Sequence, residues 1–260
     1  MSKKQLLHFD SINATQITDT ALNSSTPFKC YWTLKNPIKK IKSLSLKSVE
    51  LPILFYNVRS SNSTNTFTFT FTYSSWTNQA VTVTITESNY TITTLLSALN
   101  TAISTAITSY SGLTLTISNN STTNKLYFTT NASSMSFNSS QLITNMLGFT
   151  SGSQTISASS IYSSGVYNVN LDNYLNMYFY NIPNETTNVN GFNSTFKVPC
   201  NATFQQVLYV NENSNFKQLI SLKDDYFVLN ALYVQIYDRF GYSLNPNNGN
   251  YSFTLEITYD

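Results

Sequence analysis

The sequence predicts an antiparallel all-β protein, closed as a sandwich, with one clear helix among its strands. Three observations carry this. Residues 65–75 read NTFTFTFTYSS, in which Phe67, Phe69, Phe71 and Tyr73 alternate with Thr68, Thr70 and Thr72. Successive strand side chains point to opposite faces, so this stretch has one aromatic face and one hydroxyl face. Second, short β-rich runs recur at sandwich spacing, separated by turns of Asn, Ser, Pro and Gly. Third, strands do not alternate regularly with helices, as a parallel βαβ sheet would require.

From the N-terminus, residues 1–27 are polar and aperiodic and read as an extended arm. FKCYWTL (28–34) is rich in β-formers. In PIKKIKSLSLKSVELPILFYNV (37–58), Ile41, Leu44, Leu46 and Val49 predict a long apolar strand that bends or reaches a sheet edge at Pro52. The aromatic stripe follows. Its expected hairpin partner is AVTVTIT (80–86), with Val81, Val83 and Ile85 on one face, across the loop SSWTNQ. An exposed, uncharged FTFTFTY would be an aggregation hazard, so something must cover it.

The cover follows in YTITTLLSALNTAI, where Ile92, Leu95, Leu96, Leu99 and Ile103 recur at helical spacing and Ser88 or Thr91 is placed to cap the start. LTLTIS (113–118) and KLYFTT (125–130) form a second hairpin around NNSTTN. SSQLITNMLGF carries a short helix with Leu142, Ile143, Met146 and Leu147, closed by Gly148. TSGSQTISASSIYSSG (150–165) reads as a loop. Beyond Tyr167 come NYLNMYFYNI, STFKVPC, QVLYVN, KQLISL, ALYVQIYDRFG and NYSFTLEITYD. Leu232, Val234 and Ile236 share a face of the fifth, and Phe253, Leu255, Ile257 and Tyr259 a face of the sixth.

Charged residues make up 10% of the chain, against about 25% in an ordinary soluble domain. The polarity comes instead from 33 Asn, 36 Ser and 35 Thr. Between Leu51 and Leu171 the only charges are Arg59, Glu87 and Lys125. So uncharged a surface is a solubility risk for a free monomer, and charge depletion marks surfaces that become interface cores. Composition therefore points towards assembly. No run approaches the ~20 apolar residues of a membrane span. No apolar segment follows Lys3 and Lys4, so no secretory leader is expected. Cys30 and Cys200 are expected as free buried thiols, with a single bridge as the alternative.

Catalytic chemistry finds little support. His8 is the only histidine, which leaves no His-based metal cluster and no Ser–His–Asp triad of ordinary form. The two cysteines lack zinc-site spacing, and no phosphate-binding glycine loop occurs. A glycosidase needs two carboxylates facing one another. Asp224, Asp225 and Asp238 are the notable candidates, and all three read as turn residues, Asp238 opening the tight turn that Gly241 completes, through an Asx-type bond or a pair with Arg239. The basic run IKKIK (38–42) reads as the solvent side of a strand rather than a nucleic-acid contact. No catalytic, cofactor-binding or metal-binding residue is expected, and the chain is not expected to be an enzyme.

Four pieces together resemble a known family. They are LSLKSVELPILFYNV, the helix NYTITTLLSALNTAI, LITNMLGF, and the C-terminal pair LYVQIYDRFGYSLNPNNGNYSFTLEITYD. Their order and spacing resemble the penton, or vertex minor-capsid, proteins of virophages, Polinton-like viruses and related large DNA viruses. The likeness runs from about residue 35 to the end. It implies a jelly-roll base formed by residues 28–59 and 165–260, preceded by an arm at 1–27. It also implies an outward-projecting mixed α/β insertion at 60–164, built of two hairpins and one or two helices. Such a protein forms homopentamers that close the fivefold vertices of an icosahedral capsid. Its partners would be further copies of itself and the major capsid protein, with a host receptor or external spike reached through the insertion. It would be assembled inside the host cell, without specific nucleic-acid binding. Rival readings are a receptor- or carbohydrate-binding fibre head and another minor or cement capsid protein. For the first, exposed Trp32, Trp76 or tyrosines would stack on sugars, and Trp76 is the leading ligand-contact candidate.

Overall fold

The computed structural model describes residues 2–16, 29–138, 140–149, 153–156, 160–182, 194–212, 218–222, 227–245, 247 and 249–260. The elements are β1 (Lys3–Asp10), β2 (Thr15–Gln16), β3 (Lys29–Lys39), β4 (Ile41–Pro52), β5 (Thr66–Tyr73), β6 (Trp76–Thr84) and α1 (Ile92–Ala106). Then come β7 (Leu115–Asn120), β8 (Lys125–Thr130), β9 (Ser134–Asn138), α2 (Leu142–Met146), β10 (Ser153–Ile156) and β11 (Ser160–Tyr162). The chain ends with β12 (Tyr174–Phe179), β13 (Phe196–Pro199), β14 (Val207–Asn211), β15 (Gln218–Ser221), β16 (Val228–Tyr237) and β17 (Ser252–Tyr259). Two compact units result: Met1–Phe55 with Asp172–Asp260, and Tyr56–Leu171.

In the first unit, one sheet runs β1-β17-β4-β14, with β15 also on β4, and the other runs β13-β12-β16-β3-β2. All their pairings are antiparallel. Set aside the two-residue β2 and count β14 and β15 as one interrupted strand. The eight remaining strands, numbered along the chain, lie 1-8-3-6 in one sheet and 2-7-4-5 in the other. That is a jelly roll, two Greek keys closed face to face. The second unit occupies the connection between its third and fourth strands. Leu44, Leu46, Phe253 and Leu255 from one sheet meet Trp32, Phe179, Leu232 and Val234 from the other in a continuous core. Phe253 stacks on Phe9 at 5.0 Å and meets Phe179 across the sandwich at 5.6 Å.

The apolar positions of β4 are spaced in a way a regular strand cannot accommodate. Ile41, Leu44, Leu46, Val49 and Leu51 all face the core, yet two of the intervals between them are odd. Two β-bulges resolve this. Opposite β17 the register skips from Ser48 to Leu46 and from Ser43 to Ile41, leaving Lys47 and Lys42 as the extra residues. Each bulge re-phases the strand so that the next apolar side chain returns to the core. Each bulge lysine is also met by acids. Lys47 reaches Glu212 at 2.8 Å and Glu256 at 3.5 Å, and Lys42 reaches Asp260 at 3.1 Å.

Glu256 also accepts from Lys4 at 3.1 Å. That hydrogen bond, with the charge of Lys47 behind it, holds the Glu256 carboxyl below the usual glutamate range. A depressed carboxyl contributes stability above the unfolded-state value of about 4.3 and loses it as pH falls through the folded value. Glu256→Gln is therefore expected to flatten the acid limb of the stability–pH curve. At neutral pH it should cost at most about 1 kcal/mol, because the pair is partly solvated. Urea titrations across the acid range check this.

The N-terminal stretch read as an arm contains a full strand, since Lys3–Asp10 pairs residue for residue with β17. Its inward side chains are only Leu7 and Phe9, too few to register as a period.

The second unit holds a four-stranded sheet, β10-β9-β5-β6, and a three-stranded sheet, β11-β8-β7. Phe67, Phe69 and Phe71 are buried, and Phe67 contacts Phe69, Phe128 and Phe137 at 5.5–5.6 Å between ring centres. Leu95, Leu99 and Ile103 of α1 join the same core. The helix starts at a capping box, with Thr91 and Thr94 each bonding the other's backbone N–H. The β5–β6 connection is tighter than SSWTNQ suggested: Tyr73 pairs with Trp76, leaving only Ser74 and Ser75 in the turn. Where β9 runs out beside β5, the Gln141 amide takes its place, accepting from Thr68 N–H at 2.7 Å and donating to Thr68 C=O at 2.9 Å.

The span read as a loop contains β10 and β11, which pair with β9 and β8. They are only four and three residues long, too short for Ile156 and Ile161 to set up a period, and each adds to an open strand edge through backbone hydrogen bonds. Gly148 closes α2 at φ +83°, with Phe149 N–H bonded to Thr144 C=O at 2.9 Å. A Cβ there would lie 2.5 Å from the Gly165 carbonyl oxygen. Gly148→Ala is expected to cost about 2–3 kcal/mol in urea unfolding, from the left-handed backbone and this contact. Gly165→Ala, whose Cβ has nothing nearer than 3.5 Å, serves as the mild control.

Candidate functional site

The residues singled out in the sequence do not converge. His8 lies exposed on β1, its Nδ1 3.2 Å from Thr254 Oγ1. Asp238 is fully buried, and its Oδ1 accepts from the N–H groups of Phe240 at 2.9 Å and Tyr242 at 2.8 Å. It is the Asx-type turn expected of YDRFG. Asp224 and Asp225 lie outside the described residues. Among the described residues, no three His, Cys, Asp or Glu side chains gather as a ligand set. No helix among them is long and apolar enough to cross a membrane.

Cys30 and Cys200 are free thiols. Burial pushes Cys30 up, partly offset by its bond with the Tyr251 hydroxyl. Burial, with Asp172 nearby, pushes Cys200 up to about 11. Neither is poised as a thiolate nucleophile. The run IKKIK is a corner rather than the side of one strand. Lys39 ends β3, Lys40 turns at φ 55°, and Ile41 begins β4 in the other sheet.

The two tryptophans differ in exposure. Trp32 is buried against Phe9, Phe253 and Tyr251, and its indole N–H donates to Asp10 C=O at 2.9 Å. It is not the exposed sugar platform considered above. Trp76 is half-buried in β6, parallel to Tyr73 at 6.3 Å and edge-on to Tyr110 at 5.4 Å.

One constellation emerges only in the folded chain. On the sheet containing β3, β16, β12 and β13, the residues facing away from the core include Tyr31, Tyr233, Tyr237, Tyr174 and Tyr178, and Tyr180 follows β12. The Tyr31 and Tyr233 rings lie 4.5 Å apart, and desolvation with the adjacent Tyr31 hydroxyl raises the Tyr233 phenol above its usual range. Tyr178 sits edge-on to Tyr180 at 4.6 Å, and the Tyr180 hydroxyl meets Tyr237 and Gln235. Cations lie over these rings: Lys29 over Tyr180 at 4.7 Å, Lys197 over Tyr174 at 3.9 Å, and Arg239 over Tyr174 at 5.7 Å. No outward position of these strands among the described residues is Asp or Glu. The signal was in the sequence, because β3, β12 and β16 each place Tyr between apolar residues, as in Cys30–Tyr31–Trp32, Met177–Tyr178–Phe179 and Leu232–Tyr233–Val234. Only the pairing gathers the three strands into one surface.

The second unit has a groove of about 690 Å³ at the C-terminal end of α1, bordered by Thr101, Ser104, Thr105, Thr108, Tyr110 and Thr114, and no charged residue lines it.

No family model and no curated protein matches the chain. Among solved structures, the chain is similar to the mavirus penton protein, in a crystal structure of its selenomethionine form. The match covers 99% of this chain and 99% of that one, at 13% identity and a TM-score of 0.48. The jelly-roll assignment rests on this chain's own strand order and register.

Proposed function

We propose that this protein is a non-catalytic structural subunit of a virion, a penton whose homopentamers close the fivefold vertices of an icosahedral capsid. The observation that carries the reading is the eight-strand jelly-roll order with a self-contained unit set into one connection. Jelly rolls of this kind build capsids and lectins. The near-absence of charge from Leu51 to Leu171 suits a subunit whose surfaces are covered on assembly. The four sequence pieces resembling vertex proteins fall on β4, α1, α2 with its glycine cap, and the β16–β17 pair. In this reading the jelly roll is the base, which meets its own copies and the major capsid protein. The inserted unit projects outward, where a host receptor or external spike would bind. Assembly takes place in the host cell, without specific nucleic-acid contact.

The test is the mass of the purified protein in solution, with class averages of negatively stained particles. Pentamers with a central axis support the reading. A trimer points to a fibre head. A chain that stays monomeric alone, and also fails to join shells when co-expressed with the major capsid protein, overturns it. One observation favours a second reading, carbohydrate binding by the inserted unit: its groove is uncharged and bordered by hydroxyls, with Tyr110 at its edge. Glycan-array binding that is lost in Tyr110→Ala would support it.

A further inference from the structure

The two outer faces of the jelly roll differ in chemistry, and the difference is complementary. The tyrosine face carries Lys29, Lys197 and Arg239 and no acid among the described residues. The outer face of the other sheet exposes Leu6, Val207, Tyr209 and Leu219, at 55–64% of their full accessibility. The lysines of that face are already engaged: Lys4 with Glu256, and Lys47 with Glu212 and Glu256. Two further carboxylates, Glu50 and Asp10, line a shallow groove of about 270 Å³ beside Val207 and Pro52. Glu50 is exposed, accepts only from the Ser252 hydroxyl at 3.1 Å, and has no cation among its described partners.

We propose that the tyrosine face of one copy docks on the Glu50–Val207–Leu219 face of the next, with Lys29 and Lys197 directed at the Glu50 and Asp10 carboxylates. The inference rests on the reading of the protein as a ring-forming subunit and names the surfaces that would meet. Tyrosine and arginine are the residues of interface hot spots, the exposed aliphatic residues opposite give them an apolar surface to bury against, and the lysines and carboxylates suit a polar rim. A contact joining two different faces is heterologous, so it propagates from copy to copy and closes when the rotation allows. A second copy is favoured over an unrelated acidic partner because both halves of the match lie on this one chain.

Charge reversal on each face tests it, with self-association followed by native mass spectrometry and light scattering. Circular dichroism checks that each variant keeps the fold, Asp10→Asn included, where the remaining side-chain oxygen can still accept from Ile12 N–H as Asp10 Oδ1 does at 3.0 Å. Lys29→Glu with Lys197→Glu is expected to weaken self-association by about tenfold or more, and so is Glu50→Lys with Asp10→Asn. Combined in one chain, the four substitutions should associate at least about threefold more tightly than either single-face variant, because the signs at Glu50 and at the two lysines are exchanged while Asp10 is neutralised. If either single-face variant assembles like the natural protein, this inference falls and the vertex reading stands. If the combination is as weak as the two defects together predict, the faces do not meet. If reversal on the tyrosine face abolishes retention of a single-stranded oligonucleotide but leaves self-association unchanged, the face is a polyanion site and the inference is wrong. If the natural chain neither self-associates nor joins shells, both readings fall.

Discussion

Phe67→Ala is expected to lower the stability of the inserted unit by about 3–5 kcal/mol, the largest effect of any single substitution considered for this protein. Phe67 is completely buried and sits at the centre of a cluster with Phe69, Phe128 and Phe137. Truncation loses the transfer energy of the ring and leaves a cavity walled by other rings, which cannot close over it easily. A typical domain has about 5–15 kcal/mol in total, so the unit would approach unfolding. The two cores share no residue, so the damage should be local. Hydrogen exchange read peptide by peptide checks this. Protection should drop in β5, β8 and β9 and remain in β4 and β17. An equal loss throughout would mean that the chain unfolds as one cooperative block.

Asp238→Ala should cost about 2–4 kcal/mol through a different mechanism. The carboxylate stands in for a backbone acceptor, and its removal strands the N–H groups of Phe240 and Tyr242 in a partly buried turn. The Asp238 carbonyl is held in turn by the Asn176 amide at 2.9 Å, which ties the turn to β12. Asp238→Asn keeps an oxygen at the same position and should cost about 1 kcal/mol. Urea midpoints for the two variants separate the acceptor role from any other. An alanine variant within about 0.5 kcal/mol of the natural protein would remove Asp238 from the structural account.

What the sequence disclosed follows from how each feature is encoded. The stripe at Phe67, Phe69 and Phe71 and the helix at Leu95, Leu99 and Ile103 are local periodicities, and the structure buries both sets. The lengths of β10 and β11 were invisible because their pairing depends on backbone groups, which every residue carries. β4 was legible as a strand, but its uneven apolar spacing makes sense only once the bulges at Lys42 and Lys47 are seen. The jelly-roll order depends on pairing between residues far apart, such as Lys3 with Tyr259. Periodicity cannot report such pairing, and the family resemblance suggested it instead. The tyrosine face is hidden in the sequence for a related reason: the inward residues of β16 and β17 carry the local period, and the outward tyrosines gain meaning only beside one another.

The position of β17 has a consequence for how the protein is made. This last strand, Ser252–Tyr259, lies between β1 and β4 and holds the first strand in its sheet. While the ribosome is still adding residues before it, β1 has no neighbour and one face of the sandwich lacks an inner strand. The unit at Tyr56–Leu171 has all its strands well before synthesis ends. It can fold on the nascent chain before β17 is made, whereas the jelly roll must wait for β17. Of the two surfaces proposed to join neighbouring copies, the Glu50–Val207–Leu219 face therefore arises only once β17 is in place, and a product lacking β17 would offer a growing ring the tyrosine face without its counterpart.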